Sequence, residues 1–191
     1  MIARQKTAWI VGASSGLGAG LAKRLAEDGY TVCVSARRAE GLNQLCSTSP
    51  QLHAFPLDIS GHAATKEIAE QILEQHGPID LFVYAAVYAH ADLDAATSLE
   101  QAFHVGTLGC AYALKTIIPS MKSNGGGQIA IFGSPVGYDA LPGTLRYGTE
   151  KAALAYYARS LRIELSKDYI DVKLVLPGFV KTPLTAKNNF P

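Results

Sequence analysis

The chain is 191 residues long, and 48% of its residues are hydrophobic. A chain of this length can bury one sizeable core, and no linker or block of charge divides it, so we expect a single domain over residues 1–191. Its 17 basic and 16 acidic residues give a formal net charge of +1. Because these charges are interspersed, the composition argues against nucleic-acid and membrane binding and favours small-molecule partners.

The cysteines and the N-terminus bear on the cellular compartment. Cys33, Cys46 and Cys110 form neither a Cys-x-x-Cys pair nor a zinc-finger spacing with histidine, so we expect reduced thiols and no metal site. The N-terminus lacks the apolar region of a signal peptide, and no apolar run reaches transmembrane length. We therefore expect a soluble, cytoplasmic protein.

Short apolar runs alternate with longer segments of helical period along the chain. Strands are predicted at residues 7–11, 31–36, 52–55, 81–85, 128–133 and 172–176. Helices are predicted at residues 15–28, 39–46, 60–76, 98–123 and 145–167. This alternation predicts an α/β fold, a Rossmann-type doubly wound parallel sheet in strand order 3-2-1-4-5-6 with helices on both faces. Ligands of such sheets bind beyond the carboxyl ends of the strands, so functional residues should directly follow strands.

The helix over residues 60–76 has the clearest boundary signals. Ser60 is placed to cap its start, and Gly77 followed by Pro78 should end it. One face carries an apolar stripe made of Ala64, Ile68, Ile72 and Leu73. The segment therefore predicts a helix packed on one side of the sheet.

Three glycines separate the first predicted strand from the first predicted helix, in the spacing Gly-x-x-x-Gly-x-Gly. A plain turn between a strand and a helix needs only one glycine. Three of them let the backbone turn tightly and a pyrophosphate approach the helix N-terminus. The residues of this loop that we expect to contact a dinucleotide are Gly12, Ser14, Ser15, Gly16, Leu17 and Gly18.

The end of the second strand bears on the choice of nucleotide. Sheets of this type that prefer NAD carry an acid there for the ribose hydroxyls, whereas a 2′-phosphate calls for arginine. Here Arg37 and Arg38 follow the strand, and a guanidinium can hold a phosphate bidentately. We therefore expect NADP(H) to be preferred over NAD(H), with Arg37 as the first contact, although both arginines could also be solvated residues that open a helix. Asp58 either contacts the adenine or caps the next helix.

The pattern Tyr-x-x-x-Lys occurs twice, at Tyr147 to Lys151 and at Tyr169 to Lys173. The first pair lies in a predicted helix, where residues four apart share a face about 6 Å apart. The second lies at the entry to the last strand, where four residues span roughly 13 Å, so those two side chains cannot act as one unit. Only the first pair is expected to be functional.

A lysine beside a tyrosine changes what the phenol can do. A cation within about 4 to 6 Å favours the phenolate, so Lys151 should lower the pKa of Tyr147 toward the range useful for acid-base catalysis. Ser134 directly follows the fifth strand, where its hydroxyl can hydrogen-bond a substrate oxygen beside the tyrosine. We treat Ser134, Tyr147 and Lys151 as the candidate catalytic set.

Taken together, these residues resemble those of the short-chain dehydrogenase/reductase family over nearly the whole chain. The resemblance implies that Tyr147 exchanges the substrate proton, Ser134 orients the substrate oxygen and Lys151 binds the nicotinamide ribose. It also implies that hydride moves between the nicotinamide and a carbonyl or alcohol carbon. The further cofactor contacts are expected at Ala85, Tyr147, Lys151, Pro177, Gly178, Val180 and Thr182.

The chain departs from the family pattern at three places. Residues 84–87 read Tyr-Ala-Ala-Val where the family has Asn-Asn-Ala-Gly, and Gly106 stands at the position of an asparagine that anchors a water of the proton relay. The sequence stops at Pro191, so the substrate lid and a seventh strand are expected to be absent from this chain. Substrate choice should then rest mainly on residues 87–93 and 135–145.

Two expectations concern the helix over residues 145–167. Glu150 should point away from the face shared by Tyr147 and Lys151 and be a solvated acid. The helix also has a wider apolar face than one side of a sheet needs, which favours a homodimer or homotetramer. The apolar face consists of Ala152, Ala153, Leu154, Tyr156, Tyr157, Leu161, Ile163 and Leu165.

The leading hypothesis is an NADP(H)-dependent oxidoreductase acting on a small carbonyl or alcohol, with Tyr147 as the general acid and base. The alternative is an NADP(H)-binding protein with weak or no catalysis and a regulatory or interaction role, which Ala85, Gly106 and the early stop favour. An epimerase or dehydratase is disfavoured, because such relatives usually have the spacing Gly-x-x-Gly-x-x-Gly and longer chains. No function is expected for His90 or His104.

Overall fold

The structure is a computed structural model that describes residues 4–88 and 95–186. In these ranges the sheet has six parallel strands in the order β3-β2-β1-β4-β5-β6, with helices on both faces. The predicted doubly wound fold and its strand order are therefore confirmed. The order reverses between β1 and β4, which places the carboxyl ends of these two strands at the crevice where ligands of such sheets bind.

The elements follow the predicted alternation closely. The strands are β1 (Thr7–Val11), β2 (Thr31–Ser35), β3 (Leu52–Ala54), β4 (Ile79–Tyr84), β5 (Gly127–Phe132) and β6 (Ile170–Val175). The helices are α1 (Gly16–Glu27), α2 (Ala39–Cys46), α3 (His62–His76), α4 (Ala95–Phe103), α5 (Gly109–Ser123) and α6 (Leu145–Leu165).

Two apolar clusters lie on opposite faces of the sheet, because successive strand residues point to opposite sides. On β1, Trp9 packs into the cluster under α3, α5 and α6, whereas its neighbour Ile10 packs into the cluster under α1 and α2. Both side chains are fully buried. The indole N–H of Trp9 donates to Ser35 Oγ at 2.9 Å, so the one polar atom of this core residue is satisfied.

The long helix predicted over residues 98–123 is interrupted. Between α4 and α5 the chain forms a π-helical stretch, His104–Leu108. The buried phenol of Tyr84 donates a hydrogen bond to the carbonyl of Val105, and insertion of a side chain into the helical ladder is a known cause of such irregularities. Gly109 makes room for this phenol, since a Cβ there would lie 2.6 Å from Tyr84 Oη. We call residues 104–108 the π stretch.

The predicted cap of α3 is wrong. The helix begins at His62 with Gly61 in the N-cap position, and no side chain caps it. Ser60 instead donates its hydroxyl to Asp58 Oδ1 at 2.7 Å, because the Asp58 carboxylate closes a local turn before the helix. The predicted end is confirmed, since the backbone of Gly77 has a positive φ of 76° and leaves the helix there.

The other compositional expectations concern thiols, metals and membranes. Cys33, Cys46 and Cys110 are all free thiols. Across residues 4–88 and 95–186 no cluster of three or more histidine, cysteine and acidic side chains could hold a metal ion. None of the helices in the same ranges has both the length and the apolar character needed to span a membrane.

Candidate active site

The glycine loop begins where β1 ends, and its backbone lies against the residues that follow β4. Gly12 has a φ of +91°, in the left-handed region, and its N–H donates to the carbonyl of Ser35 at 2.8 Å. A Cβ at Gly12 would lie 2.6 Å from the carbonyl carbon of Ala85. The structure therefore brings Ala85 against the loop, and position 12 accepts only glycine without strain.

The second half of the loop contacts the segment that follows β6. A Cβ at Gly18 would lie 2.4 Å from the carbonyl oxygen of Gly12, so the first turn of α1 packs directly on the loop. A Cβ at Gly16 would lie 3.4 Å from Thr182 Cβ. Residues predicted to bind one cofactor thus meet at one edge of the sheet, although they come from both ends of the chain.

The N-terminus of α1 is open to a ligand. Ser15 occupies the N-cap position, its side chain makes no capping hydrogen bond, and the first turn contains no acidic residue. The first N–H groups of a helix lack intrahelical acceptors and, with the helix dipole, favour an anion. Ser14 packs near Gly41 of α2, and Leu17 is 38% exposed. This helix N-terminus could therefore hold an anionic group such as a pyrophosphate.

Arg37 and Arg38 lie at the same edge of the sheet as the glycine loop. Both side chains are exposed and directly follow β2, whose last residue, Ser35, pairs with Val11 at the end of β1. Asp58 is exposed beyond β3, but its carboxylate accepts hydrogen bonds from the backbone N–H and hydroxyl of Ser60. The two arginine side chains are thus exposed at this edge, whereas the Asp58 carboxylate already holds a turn.

Ser134 is fixed where β5 ends. It precedes the short 3-10 turn Pro135–Gly137, its Oγ accepts from the backbone N–H of Val136 at 3.3 Å, and the residue is 7% exposed. The Ser134 side chain also lies close enough to the phenol of Tyr147 to lower its pKa by hydrogen bonding. Ser134 and Tyr147 are therefore neighbours although they lie on a strand end and a helix.

Close packing of the 3-10 turn on α6 makes this contact possible. A Cβ at Gly137 would lie 2.8 Å from the backbone of Lys151, and a Cβ at Gly148 would lie 3.1 Å from the carbonyl of Val136. These two glycines let backbone approach backbone. The sequence reasoning missed both residues, since only their proximity to Ser134 and Tyr147 in the chain could have indicated them.

Lys151 joins the same group. Its Nζ lies 5.7 Å from the centroid of the Tyr147 ring and donates to the carbonyl of Phe132 at 3.4 Å. The residue is 3% exposed. The structure thus brings together the three residues of the candidate catalytic set, Ser134, Tyr147 and Lys151. The second Tyr-x-x-x-Lys match does not form such a group. Tyr169 lies in a turn before β6 with a φ of +55°, whereas Lys173 lies on that strand and pairs with Asp171.

The expectation for Glu150 is wrong. Glu150 is 2% exposed, and its Oε2 lies 3.3 Å from Lys151 Nζ. Neighbours on a helix normally diverge, but position 106 has no side chain, and a Cβ there would lie 2.1 Å from the carboxyl carbon of Glu150. The carboxyl group therefore fills the space left by Gly106 and turns toward the lysine.

The pKa of Tyr147 is raised from its ordinary value, whereas the sequence predicted that Lys151 would lower it. Burial of the phenol is the main cause, the hydrogen bond with Ser134 opposes it, and the negative charge of Glu150 raises the pKa further. The prediction failed because it considered Lys151 alone. The lysine is ion-paired with a buried carboxylate, and its positive charge is thereby offset.

The segment after β6 is held by its own hydrogen bonds. The hydroxyl of Thr185 donates to the carbonyl of Val180 at 2.6 Å and accepts from the backbone N–H of Thr182 at 3.0 Å. Pro177 and Gly178 connect this turn to the end of β6. Thr185, which the sequence reasoning did not single out, therefore fixes Thr182 beside the glycine loop.

The remaining sequence expectations involve α4 and the loop before it. His104 Nε2 lies 3.7 Å from Glu100 Oε1 on a partly exposed face. His90 and residues 89–93 of the segment expected to select substrate lie outside the described residues.

Comparison with known proteins identifies the family. A family model for the short chain dehydrogenases matches residues 6–190. The chain belongs to the short-chain dehydrogenase family. A Myxococcus xanthus protein described as an uncharacterized oxidoreductase is 32% identical to this short-chain dehydrogenase, and the match covers 97% of the chain and 76% of that protein.

Solved structures of other proteins resemble this short-chain dehydrogenase throughout. The 3-ketoacyl-(acyl-carrier-protein) reductase of Brucella melitensis, complexed with NADH, is 27% identical with a TM-score of 0.88, over 95% of the chain and 78% of the reductase. The actinorhodin polyketide ketoreductase with NADPH is 25% identical with a TM-score of 0.90, over 97% of the chain and 75% of the ketoreductase.

Proposed function

We propose that this short-chain dehydrogenase is an NADP(H)-dependent oxidoreductase that interconverts a carbonyl compound and an alcohol. The observation that carries the proposal is the convergence of Ser134 and Lys151 on the phenol of Tyr147. This group lies at the same edge of the sheet as the glycine loop. A proton donor and a cofactor cradle at one edge are what hydride transfer to a carbonyl requires.

Each residue of the group has a separate task. In the reduction, the Tyr147 hydroxyl gives its proton to the carbonyl oxygen, and in the reverse reaction the phenolate takes the proton of the alcohol. The Ser134 hydroxyl hydrogen-bonds the same oxygen and stabilises the charge that develops on it. Lys151 stabilises the phenolate when the proton has left. When bound, the nicotinamide supplies or accepts the hydride.

Two segments at the carboxyl edge of the sheet would hold the cofactor, the glycine loop with the start of α1 and the segment that follows β6. The glycine loop and the open N-terminus of α1 receive the pyrophosphate, and Thr182 and its turn lie beside them. Arg37 and Arg38 favour NADP(H), since they can pair with a 2′-phosphate. The structural relatives include one protein with NADPH and one with NADH, so this preference rests on the two arginines.

Replacing Arg37 by Ala is expected to weaken NADPH binding by about 10- to 100-fold, because a hydrogen bond to a charged group contributes roughly 1.5–3 kcal/mol. NADH affinity should stay unchanged, since NADH has no 2′-phosphate. Fluorescence titration of both nucleotides measures the effect. Arg24→Ala is the matched control, because Arg24 is exposed in the last turn of α1 and pairs with Asp28. An unchanged ratio of NADPH to NADH affinity in Arg37→Ala would refute the nucleotide assignment.

A second candidate function is cofactor binding with little or no catalysis. Gly106 favours it, because glycine offers no side chain where the family has its relay asparagine, and the Glu150 carboxyl lies in that space instead. NADPH fluorescence and nicotinamide absorbance, measured with a panel of aldehydes and ketones, separate the two functions. Turnover of any member supports the reductase, binding without turnover supports the alternative, and absence of binding contradicts both.

We also propose that α6 mediates self-association. Leu154, Leu161 and Leu165 are buried against the sheet, whereas Tyr156 and Ile163 remain 68% and 77% exposed. Ile163→Glu should lower the molar mass measured by light scattering, since a charge in an apolar interface is costly. Gln44→Glu, which adds the same charge to an exposed position of α2, should leave the mass unchanged. If both variants keep the mass of the parent protein, α6 is not the interface.

A further inference from the structure

A buried carboxyl group lies beside the Tyr147 and Lys151 pair, in a position that the proposed mechanism does not use. Glu150 and Lys151 are 2% and 3% exposed, and 3.3 Å separates Glu150 Oε2 from Lys151 Nζ. Two buried charges at this distance interact strongly, because little water screens them. The protonation state of Glu150 therefore sets how strongly the positive charge of Lys151 acts on Tyr147.

The π stretch makes the space for this carboxyl group. Gly106 is buried there, and any side chain at position 106 would overlap the Glu150 carboxyl, since even a Cβ would lie 2.1 Å from its carboxyl carbon. The Thr107 hydroxyl donates to the backbone carbonyl of Glu150 at 3.5 Å, so a side chain of the π stretch also contacts α6 at this residue. The pocket of Glu150 is thus built jointly by α6 and the π stretch.

The two carboxyl oxygens of Glu150 have different surroundings. Oε2 pairs with Lys151, whereas Oε1 is buried and has no hydrogen-bond partner among the described residues. A buried carboxylate oxygen without a partner destabilises the charged form relative to the neutral acid. Burial accordingly raises the pKa of Glu150, while the positive charges of Lys151 and Arg146 oppose the increase. The protonation of Glu150 is therefore set by the pocket that holds its carboxyl group and by the two cations beside it.

We propose that Glu150 is a positioning residue for the acid-base chemistry of Tyr147, acting through Lys151. As a carboxylate it offsets the lysine and keeps the phenol protonated, which suits proton donation to a carbonyl oxygen. As a neutral acid it leaves the full charge of the ammonium group to stabilise the phenolate, which suits proton removal from an alcohol. The inference rests on the proposed function, because it assigns Tyr147 as the acid and base.

The other titratable groups around Glu150 do not compete for this function. Tyr84 faces it from β4 and Cys110 from α5, and the pKa of each is raised far above its ordinary range, mainly by burial. Both groups are therefore neutral near pH 7. Arg146 contributes a fixed positive charge from α6. Among the described residues that interact with Glu150, this leaves Glu150 and Tyr147 to change the charge beside Lys151 as the proton moves.

Glu150→Gln tests the proposal through the pH dependence of kcat/KM. Removing the negative charge lowers the pKa of Tyr147, because the ionised Glu150 raises it. The rise of alcohol oxidation with pH, and the alkaline loss of carbonyl reduction, should both move to lower pH. Glu150→Asp keeps the charge and should restore the parent profile. Glu164→Gln is the matched control, since Glu164 is exposed on the same helix, and its profile should superimpose on that of the parent.

The proposal is overturned if the pH profile of Glu150→Gln superimposes on that of the parent or moves to higher pH. It is also overturned if the profile of Glu164→Gln shifts as much as that of Glu150→Gln. If Glu150→Gln fails to fold, Gly106→Ala provides a second variant. It retains the charges of Glu150 and Lys151 but displaces the Glu150 carboxyl. Its pH profile is expected to shift in the same direction as that of Glu150→Gln. Titrating the phenolate absorbance of Tyr147, as the difference from Tyr147→Phe, gives a readout that needs no turnover. A shift of this titration without turnover of any carbonyl supports the assignment of Glu150 and contradicts the proposed reductase function.

Discussion

Replacing Tyr147 by Phe is expected to reduce kcat for carbonyl reduction by roughly 10²–10⁴-fold, the usual contribution of a positioned general acid. The ring and its packing are retained, but the hydroxyl beside Ser134 that would donate the proton is lost. NADPH affinity should remain largely intact, because the glycine loop and Arg37 are untouched and only one of the expected cofactor contacts changes. Nicotinamide absorbance measures turnover, and NADPH fluorescence measures binding.

The control for this variant is the other tyrosine that begins a Tyr-x-x-x-Lys pattern. Tyr169 is 83% exposed and lies in a turn before β6, so Tyr169→Phe should keep the parent kcat. The same chemical change is then made in the same sequence pattern, and only the tertiary position differs. Parent-level turnover in Tyr147→Phe would show that another group donates the proton.

The second large effect is expected at the start of α1. Gly18→Ala places a methyl group 2.4 Å from the carbonyl oxygen of Gly12, and backbone must move to accept it. We expect a loss of about 1–3 kcal/mol in the free energy of unfolding, the usual cost of overpacking. NADPH affinity should fall as well, because the N-terminus of α1 shifts away from the loop. Denaturant unfolding and NADPH titration measure the two effects.

Gly20→Ala is the matched control, since it is the same substitution two residues later in α1. A Cβ at Gly20 has no heavy atom within 4 Å, so the variant gains only helix propensity and should be stabilised by about 0.5–1 kcal/mol. The two variants thus move stability in opposite directions. Equal stability of Gly18→Ala and Gly20→Ala would mean that the close contact at Gly18 does not constrain the loop.

Much of the architecture could be predicted from local patterns. The bounds of β1 and α2 agree with the prediction, because short apolar runs bounded by turn residues and an amphipathic segment have few alternative structures. The doubly wound class followed from the alternation of these elements, and the observed order is the one usual for Rossmann-type sheets. The prediction that Ser60 caps α3 was wrong, because the Ser60 hydroxyl donates to the Asp58 carboxylate instead. A sequence pattern does not show which of several nearby partners a side chain will bind.

The π stretch shows why a long helical pattern was incomplete. Residues 98–123 have helical period throughout, yet Tyr84 from β4 binds the carbonyl of Val105 and the helix widens there. A contact between residues far apart in the chain decided this local conformation. The glycines at positions 106 and 109 were needed for it, but each glycine alone indicates only that some group approaches closely.

The sequence by itself determined the fold, the glycine loop, and the residues that meet at Tyr147, because period, turn chemistry and helical spacing are local properties. Tertiary structure decided the electrostatics of that site. Glu150, expected in solvent, is buried against Gly106 and pairs with Lys151, and the pKa of Tyr147 is raised rather than lowered. The physical reason is that a pKa depends on burial and on every charge nearby, and these are set by which segments pack together.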